Sequence, residues 1–550
     1  MREVRLWLDH CDKHHTDHCH FSPRSEEIFV HRPRWLIDVT RRCLVPAESG
    51  HRYVALSYVW GEGVPFKTVR KNLDHLLQEG SLELNEAPIR PEVDTSAGAT
   101  VHEKSTDIAT LPRTVRDVII GTRLIGEKFL WVDSLCIVQD DDEDKQEHLS
   151  HMGSIYANAY VTIVAAGGTA FAGLSGIEHV TRPMDRAVAV PPYLRNEWSL
   201  HSKIMEHHRA IQKSPWNHRA WTFQEQIFSR RLLIFGAADV SWECHCAVWF
   251  EGMQPVEGKC QKNDDIIAQG FAFAIPPNMD DYARHVAQYN RRALTYPEDA
   301  LDAFGGVLTT LATAFTGGFI YGLPVMFFDA ALLWYNEAPL ERRRPRRQDS
   351  ASRMPPTWSW AAWSGGISYS DHKSCESVQS LVEWQYRADA NESLRTIPTT
   401  KISSDIQAEM ARLAINPSAK ANGGSEDSEK TAQGSSNSVS SNGHLLFTRT
   451  RRSFFTAIEF YGDVQILLAG KSGDRVGMLT SLQKLETGIK PGDTRYELVA
   501  LSEISANGDI AVNVLWIKWI DGVAYREGVG RILKAAWDEQ GPELVDLVLG

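Results

Sequence analysis

Between residues 53 and 236 short apolar runs alternate with stretches of helical periodicity. Tyr53-Val54-Ala55-Leu56-Ser57-Tyr58-Val59-Trp60 is apolar nearly throughout, as a strand covered on both faces should be, and Gly61-Glu62-Gly63 ends it. Leu111, Val115, Val118, Ile119 and Thr122 then recur at helical spacing, with Thr110 as N-cap and Pro112 near the first turn. Residues 129–133 read as the next strand, running on through 135–138. Asp140, Asp141, Asp142 and Asp144 suit a helix N-terminus, and Leu149, Met152, Ile155 and Tyr156 mark the apolar face of that helix. Residues 161–166 form a third strand, stopped by Gly167-Gly168. From Ser214 the pattern predicts an amphipathic helix leading straight into a strand at 232–235. Trp221 and Glu225 fall one turn apart on that helix, hence on one face. Strands alternating with helices predict a parallel sheet with right-handed crossovers. Ligands of such sheets sit outside the carboxyl ends of the strands, here Trp60-Gly61-Glu62-Gly63, Asp133-Ser134 and Gly167-Gly168.

The flanking regions read differently. Residues 33–39 predict a short strand, and residues 80–110 a polar insertion. Residues 240–340 look largely helical, most clearly at 283–294 and 300–336. Trp358 and Trp360 alternate and would share one face of a strand, with Trp363 close behind; core packing is favoured over ligand stacking. Residues 417–443 are rich in Ser, Gly, Asn and Glu and predict disorder. After them, residues 514–520 and 523–526 flank Asp521-Gly522 and predict a hairpin. The expected organisation is an N-terminal lead-in (1–50), an α/β domain (51–240), a mainly helical region with a Trp-rich segment (241–415), a disordered linker (416–444) and a β-rich C-terminal region (445–550).

Length and charge narrow this picture. A chain of 550 residues exceeds one core, and a net charge of −12 argues against general nucleic-acid binding. Eight cysteines without an even framework of spacings suit a reducing compartment, and the first residues contain no apolar leader. Residues 303–328 lack charge but are broken by six residues of Gly or Pro, so a buried helical region is expected rather than a span. The Arg342-Arg343-Arg344-Pro345-Arg346-Arg347 run reads as a solvated loop, with a nuclear signal as the alternative. Cys11, His14, His15, His18, Cys19 and His20 raise the question of zinc. Their spacing does not suit a finger and no second Cys/His pair follows at a sensible distance, so no metal is assigned.

Familiar catalytic motifs are missing. Gly470-Lys471-Ser472 lacks the earlier glycine of a phosphate loop, since Gln465 stands there. Gly528-Val529-Gly530 lacks the third glycine of a dinucleotide fingerprint, and neither HExxH nor GxSxG occurs. Cys136 on its predicted strand reads as an inert buried thiol.

Four ordered blocks carry a family resemblance. Tyr53 to Gly61, Leu130 to Asp140 (Leu-Trp-Val-Asp-Ser-Leu-Cys-Ile-Val-Gln-Asp), Met152 to Ala159 and Arg219-Ala220-Trp221-Thr222-Phe223-Gln224-Glu225 resemble the fungal heterokaryon incompatibility (HET) domain over about 53–226. Pro356 to Trp363 and Asp521 to Arg526 resemble segments that accompany it. The resemblance implies a TIR-like (Toll/interleukin-receptor-like) α/β parallel-sheet domain at 51–240, followed by an α+β C-terminal region with a β-rich end. It implies a cytoplasmic protein of fungal self/non-self recognition and innate immunity, whose HET domain triggers programmed cell death. The partners implied are self-association or other incompatibility and signalling proteins, with no nucleic acid and no membrane span. Some TIR domains cleave NAD with a glutamate on a helix after the third strand, so NAD is implied as a substrate and Glu225 as the catalytic residue. Ser57, Trp60, Gly61, Asp133 and Trp221 would line the cofactor cleft. One departure stands out: where the family commonly has a glutamate four residues before the Met, this chain has His148, with Glu147 beside it. A third reading is a degenerate member with neither signalling nor enzymatic activity.

Overall fold

Strand β3 (Tyr53–Val59) is the axis of the first of two units. Tyr53 to Tyr58 are all buried, which is why the run shows no polar alternation. β3 pairs in parallel with β4 (Phe129–Trp131) on one side and β5 (Val161–Thr169) on the other, and β5 pairs in parallel with β6 (Arg231–Phe235). Antiparallel strands extend this core on both sides. β1 (Trp35–Asp38) and β2 (Cys43–Pro46) add beside β4, while β7 (Val240–Cys244) and β8 (Val248–Phe250) add beside β6. The expectation of a parallel sheet therefore holds for the core, and the whole sheet is mixed. The connections between β1 and β2, β6 and β7, and β7 and β8 are too short for a crossover, so those strands turn back on themselves. Counted in chain order, the four parallel strands lie 2-1-3-4, the flavodoxin-like doubly wound order, with its switch point between β3 and β5.

The computed structural model describes residues 1–15, 19, 29–61, 66–82, 111–177, 197–237, 239–253, 279–347, 354–369, 378–387, 393–398, 445–486, 490–506 and 509–550. The proposed linker 416–444, most of the 80–110 insertion, Glu62, Gly63, Thr110, His18 and His20 lie outside the described residues. The units are Met1–Ala272 and Phe273–Gly550.

Helices fill the crossovers of the first unit. α1 (Arg2–His14) opens the chain, and α2 (Arg70–Leu76) and α3 (Arg113–Ile125) lie between β3 and β4. The extended reading of 129–138 is corrected: the chain leaves β4 at Trp131 and coils at once into α4 (Asp133–Cys136), closed by a 2.7 Å bond from the Cys136 amide to the Val132 carbonyl. α5 (Asp142–Ser150) and α6 (Met152–Asn158) replace the single helix expected after the acidic run. Asp141 does cap α5 through the Asp144 amide, but His151 adopts φ −115°, ψ 17° and breaks the helix. α7 (Glu197–Gln212), α8 (Pro215–His218) and α9 (Trp221–Phe228) occupy the last crossover. The helix expected from Ser214 is split into α8 and α9 because Arg219 is extended, at φ −82°, ψ 136°.

In the second unit, α10 (Met279–Asn290) matches the helix expected near 283–294 and α11 (Gly305–Ala312) is eight residues long. The helical expectation for 240–340 fails at its start, where β7 and β8 stand in the first unit, and again after Ala312, where Phe319–Ile320 pairs with Leu323–Pro324 and Tyr335–Asn336 is extended. Gly317, Gly318 and Gly322 take positive φ and end the helical run in the uncharged 303–328 segment. Among the described residues no helix is long and apolar enough to cross a membrane. Trp358 and Trp360 do not stand in a strand: Trp360–Ala362 form a 3₁₀ turn begun by the Ser359 hydroxyl, extended backbone starts only at Trp363, and all three indoles are buried in the core. The arginine run is not a free solvated loop either. Arg342 and Arg343 donate to the Ala362, Pro355 and Trp363 carbonyls and to Asn290, and the Arg346 and Arg347 amides donate to Glu298.

The β-rich C-terminal region is a closed barrel. β9 (Leu446–Tyr461), β10 (Gln465–Ala469), β11 (Arg475–Ser481), β14 (Val523–Leu533), β13 (Asp509–Ile520) and β12 (Arg495–Ala506) pair antiparallel in that order, and β12 returns to β9. β15 (Glu543–Leu549) runs antiparallel along β9. Phe455, Leu468, Leu498, Val514, Ile532 and Trp537 fill the interior, with Trp537 coming from α12 (Lys534–Glu539). The expected hairpin is present: Asp521 (φ 49°) and Gly522 (φ 80°) form the two-residue turn between β13 and β14.

Candidate functional site

Five of the six residues singled out from the sequence converge near the carboxyl ends of β3 and β4. Ser57 is the one polar side chain inside the apolar β3 run, and it faces the helices of the last crossover. Its hydroxyl accepts a 2.6 Å hydrogen bond from Trp216 Nε1 on α8 and donates to Glu225 Oε2 on α9. Glu225 is only 5% exposed. Tyr156 of α6 hydrogen-bonds the same carboxyl and donates to the Leu56 carbonyl at 3.0 Å. Burial pushes the Glu225 carboxyl up to about 7, against the opposing pull of Ser57 and of the Arg219 guanidinium. It is therefore a group poised between its neutral and charged forms near neutrality.

The second half of the site lies at the strand ends. Trp60 donates its indole N–H to Asp133 Oδ2 at 2.9 Å, and the other Asp133 oxygen takes the Ser134 amide at 2.6 Å. Burial raises the Asp133 carboxyl as well, with Arg219 and the Trp60 N–H opposing it. Gly61 follows at φ +83°, and a Cβ there would lie 3.0 Å from Thr169 Cβ at the end of β5. Glycine is demanded by both the backbone and the space. Trp221 opens α9 and is half-buried; among the described residues it makes no side-chain hydrogen bond with this group.

Three contributors escaped the sequence analysis. Arg219 donates to the Tyr58 carbonyl at 2.8 Å and places its charge beside both carboxyls. Its position at the head of the Arg219–Glu225 block was visible, but an extended residue between two short helices was not. Trp216 and Tyr156 lie in segments read as helix faces, where aromatic residues ordinarily pack. The His148 departure has a structural explanation. His148 is 1% exposed with Nδ1 2.7 Å from the Asp144 carbonyl, while Glu147 is exposed. His148 therefore braces α5, and neither residue joins the Ser57–Glu225 group.

The group stands at the carboxyl edge of the sheet beside its switch point, the region where doubly wound folds generally place their ligands. The family model described as heterokaryon incompatibility protein (HET) matches residues 53–225, so that stretch carries a HET domain. The match begins at Tyr53 in β3 and ends at Glu225, so it frames the group just described. The chain is similar to "Heterokaryon incompatibility protein 6, OR allele" of Neurospora crassa, at 28% identity over 122 residues. That stretch is 22% of this chain and 15% of the relative, so the chain covers a small part of that protein's length. No solved structure matches.

Proposed function

We propose that this chain is a cytoplasmic fungal self/non-self recognition protein whose HET domain triggers programmed cell death when its trigger is engaged, through self-association or binding to other incompatibility and signalling proteins. The observation that carries this reading is the match over 53–225, which takes in three of the four parallel strands and the crossover helices up to Glu225. The Arg219–Tyr58 bond ties the end of β3 to the α8–α9 junction, and the Trp60–Asp133 bond ties it to the start of α4, so the strand-end region is linked to the Glu225 helix. Inducible expression of the full chain in a fungal host tests it. Loss of viability is expected, and abolition by Arg219→Ala, with the protein still folded and expressed, is expected with it. A host that grows normally while accumulating folded wild-type protein beside its cognate incompatible strain would refute the reading and favour a degenerate family member.

A second reading has one observation in its favour. A carboxyl held near 7 beside an arginine and a second carboxyl is a frequent catalytic arrangement. In it, Glu225 holds the ribose hydroxyls of NAD or stabilises the positive charge that develops as nicotinamide leaves, with Trp60 or Trp221 against a base. Because Glu225 is 5% exposed, this chemistry requires α9 to move away from Ser57 before substrate reaches the carboxyl. NAD consumption by the purified chain that disappears in Glu225→Gln supports this reading. Cell death that persists in Glu225→Gln rejects it.

A further inference from the structure

We propose that Cys11, His15, Cys19 and Cys244 form a zinc site that fastens the N-terminal helix α1 to strand β7. The Cys11, Cys19 and Cys244 sulfurs and a His15 ring nitrogen all lie within 4.8 Å of one another, and all four residues are buried. A tetrahedral Zn²⁺ with three thiolates and one imidazole places its sulfurs about 3.8 Å apart, from Zn–S bonds of about 2.3 Å. The ligand atoms are thus within about an ångström of coordination distance without any change of backbone path.

The chain is built to bring them together. The His15 amide bonds to the Cys11 carbonyl at 3.0 Å and the Cys19 amide to the His15 carbonyl at 2.8 Å. These are helical i to i−4 links, so the three side chains fall on one face. The fourth ligand stands at the end of β7, and Cys244 Sγ is already 3.4 Å from His15 Nδ1 across 229 positions of sequence. Search for a second Cys/His pair at finger spacing therefore misses the site, because its closing ligand is a single distant cysteine.

The surroundings match those of a thiolate-rich metal centre. Arg231 Nε lies 3.3 Å from Cys11 Sγ, and the Cys246 amide donates to Cys244 Sγ. Three thiolates, one neutral imidazole and one Zn²⁺ leave a net charge of −1, which the adjacent guanidinium complements. Arg231 is in turn fixed by Asp12 at 2.7 Å and the Tyr160 carbonyl at 3.2 Å. The His15 ring stacks on Trp249 of β8, which holds the imidazole plane against the sheet. The four ligands are closed off from solvent and leave no open position on the metal, so the site is structural rather than catalytic.

Metal analysis of the purified full chain tests this. About one zinc per chain is expected, retained in Cys43→Ser, a buried cysteine outside the set, and in His15→Cys, which offers four thiolates. Cys244→Ser is expected to lose it. Replacing zinc by Co²⁺ is expected to give thiolate-to-cobalt charge-transfer absorption and the intense visible bands of a tetrahedral ion. A wild-type chain that carries no zinc and develops no such absorption with Co²⁺ under reducing conditions overturns the proposal, whatever the variants do. So does a disulfide among Cys11, Cys19 and Cys244 that persists in the freshly purified chain.

Discussion

Glu225→Gln is the substitution that reports most directly on the buried carboxyl. The folded chain holds the Glu225 proton with a pKa of about 7 against an ordinary 4.5. Between those values the folded state binds more protons than the unfolded state, so stability falls as pH rises through the window and levels off above about pH 7. At about 1.4 kcal/mol per pKa unit, this difference amounts to about 3 kcal/mol. Gln is the neutral form made permanent: its carbonyl accepts from Ser57 and its amide donates to Tyr156. Asp133 contributes a pH dependence of the same sign, but it is present in both proteins and cancels to first order in their difference. The assay is urea unfolding of the full chain from pH 4.5 to 8. Hydrogen exchange at β3 and α9 identifies which transition belongs to the first unit, since a two-unit chain need not unfold in one step. Near pH 4.5 the two proteins should be close in stability. At pH 8 Glu225→Gln should be the more stable by about 3 kcal/mol. Parallel curves, or a wild type that gains on the variant as pH rises, would refute the account of Glu225 as a carboxyl that burial keeps protonated.

Four further outcomes are expected. Ser57→Ala removes the hydroxyl that links the Trp216 indole to Glu225, leaving both without that partner; a loss of about 1–3 kcal/mol in urea unfolding is expected, with a changed tryptophan emission. Gly61→Ala adds a Cβ at φ +83° and 3.0 Å from Thr169, and should cost about 2 kcal/mol or more by the same titration. Gly126→Ala, at φ +92° with open space around it, should cost about 1 kcal/mol, and equal losses at the two sites would show that the Thr169 contact is immaterial. Trp537→Ala empties the barrel interior, where the indole is 2% exposed and stacks on Phe455 at 6.0 Å; a loss of about 3–5 kcal/mol confined to the second unit is expected, read by exchange at β9 and β13.

The parallel core was legible because burial on both faces leaves a plain signature of apolar runs in β3, β5 and β6, although Gly167-Gly168 did not stop β5, which runs through them to Thr169. Trp60, Gly61 and Asp133 were placed by one topological rule about strand ends, whereas Glu225, on a helix, entered only through the family resemblance. Apolarity could not tell where β4 stops, since Leu135, Cys136 and Ile137 are buried whether the chain is extended or coiled; the Cys136–Val132 hydrogen bond decides it. The breaks at His151 and Arg219 were hidden for a related reason, because neither residue is a helix breaker by type. Trp358 and Trp360 mimicked strand alternation, while their burial depends on a 3₁₀ turn. The cysteine cluster was illegible for want of range: local spacing placed three of its members and gave no information about Cys244.

The flanking hairpins of the first unit set terms for how copies of this chain could meet. The parallel strands, whose long unbroken ladders are the natural template for pairing, lie inside the sheet, with β1 and β7 against their outer members. The outermost strands among the described residues are β2, four residues ending in Pro46, and β8, three residues followed by a turn. Strands that short, one of them closed by a residue without an amide hydrogen, resist extension by another chain. Self-association of this unit by joining sheets edge to edge is therefore disfavoured, and an assembly of HET domains would be cemented through helices and loops.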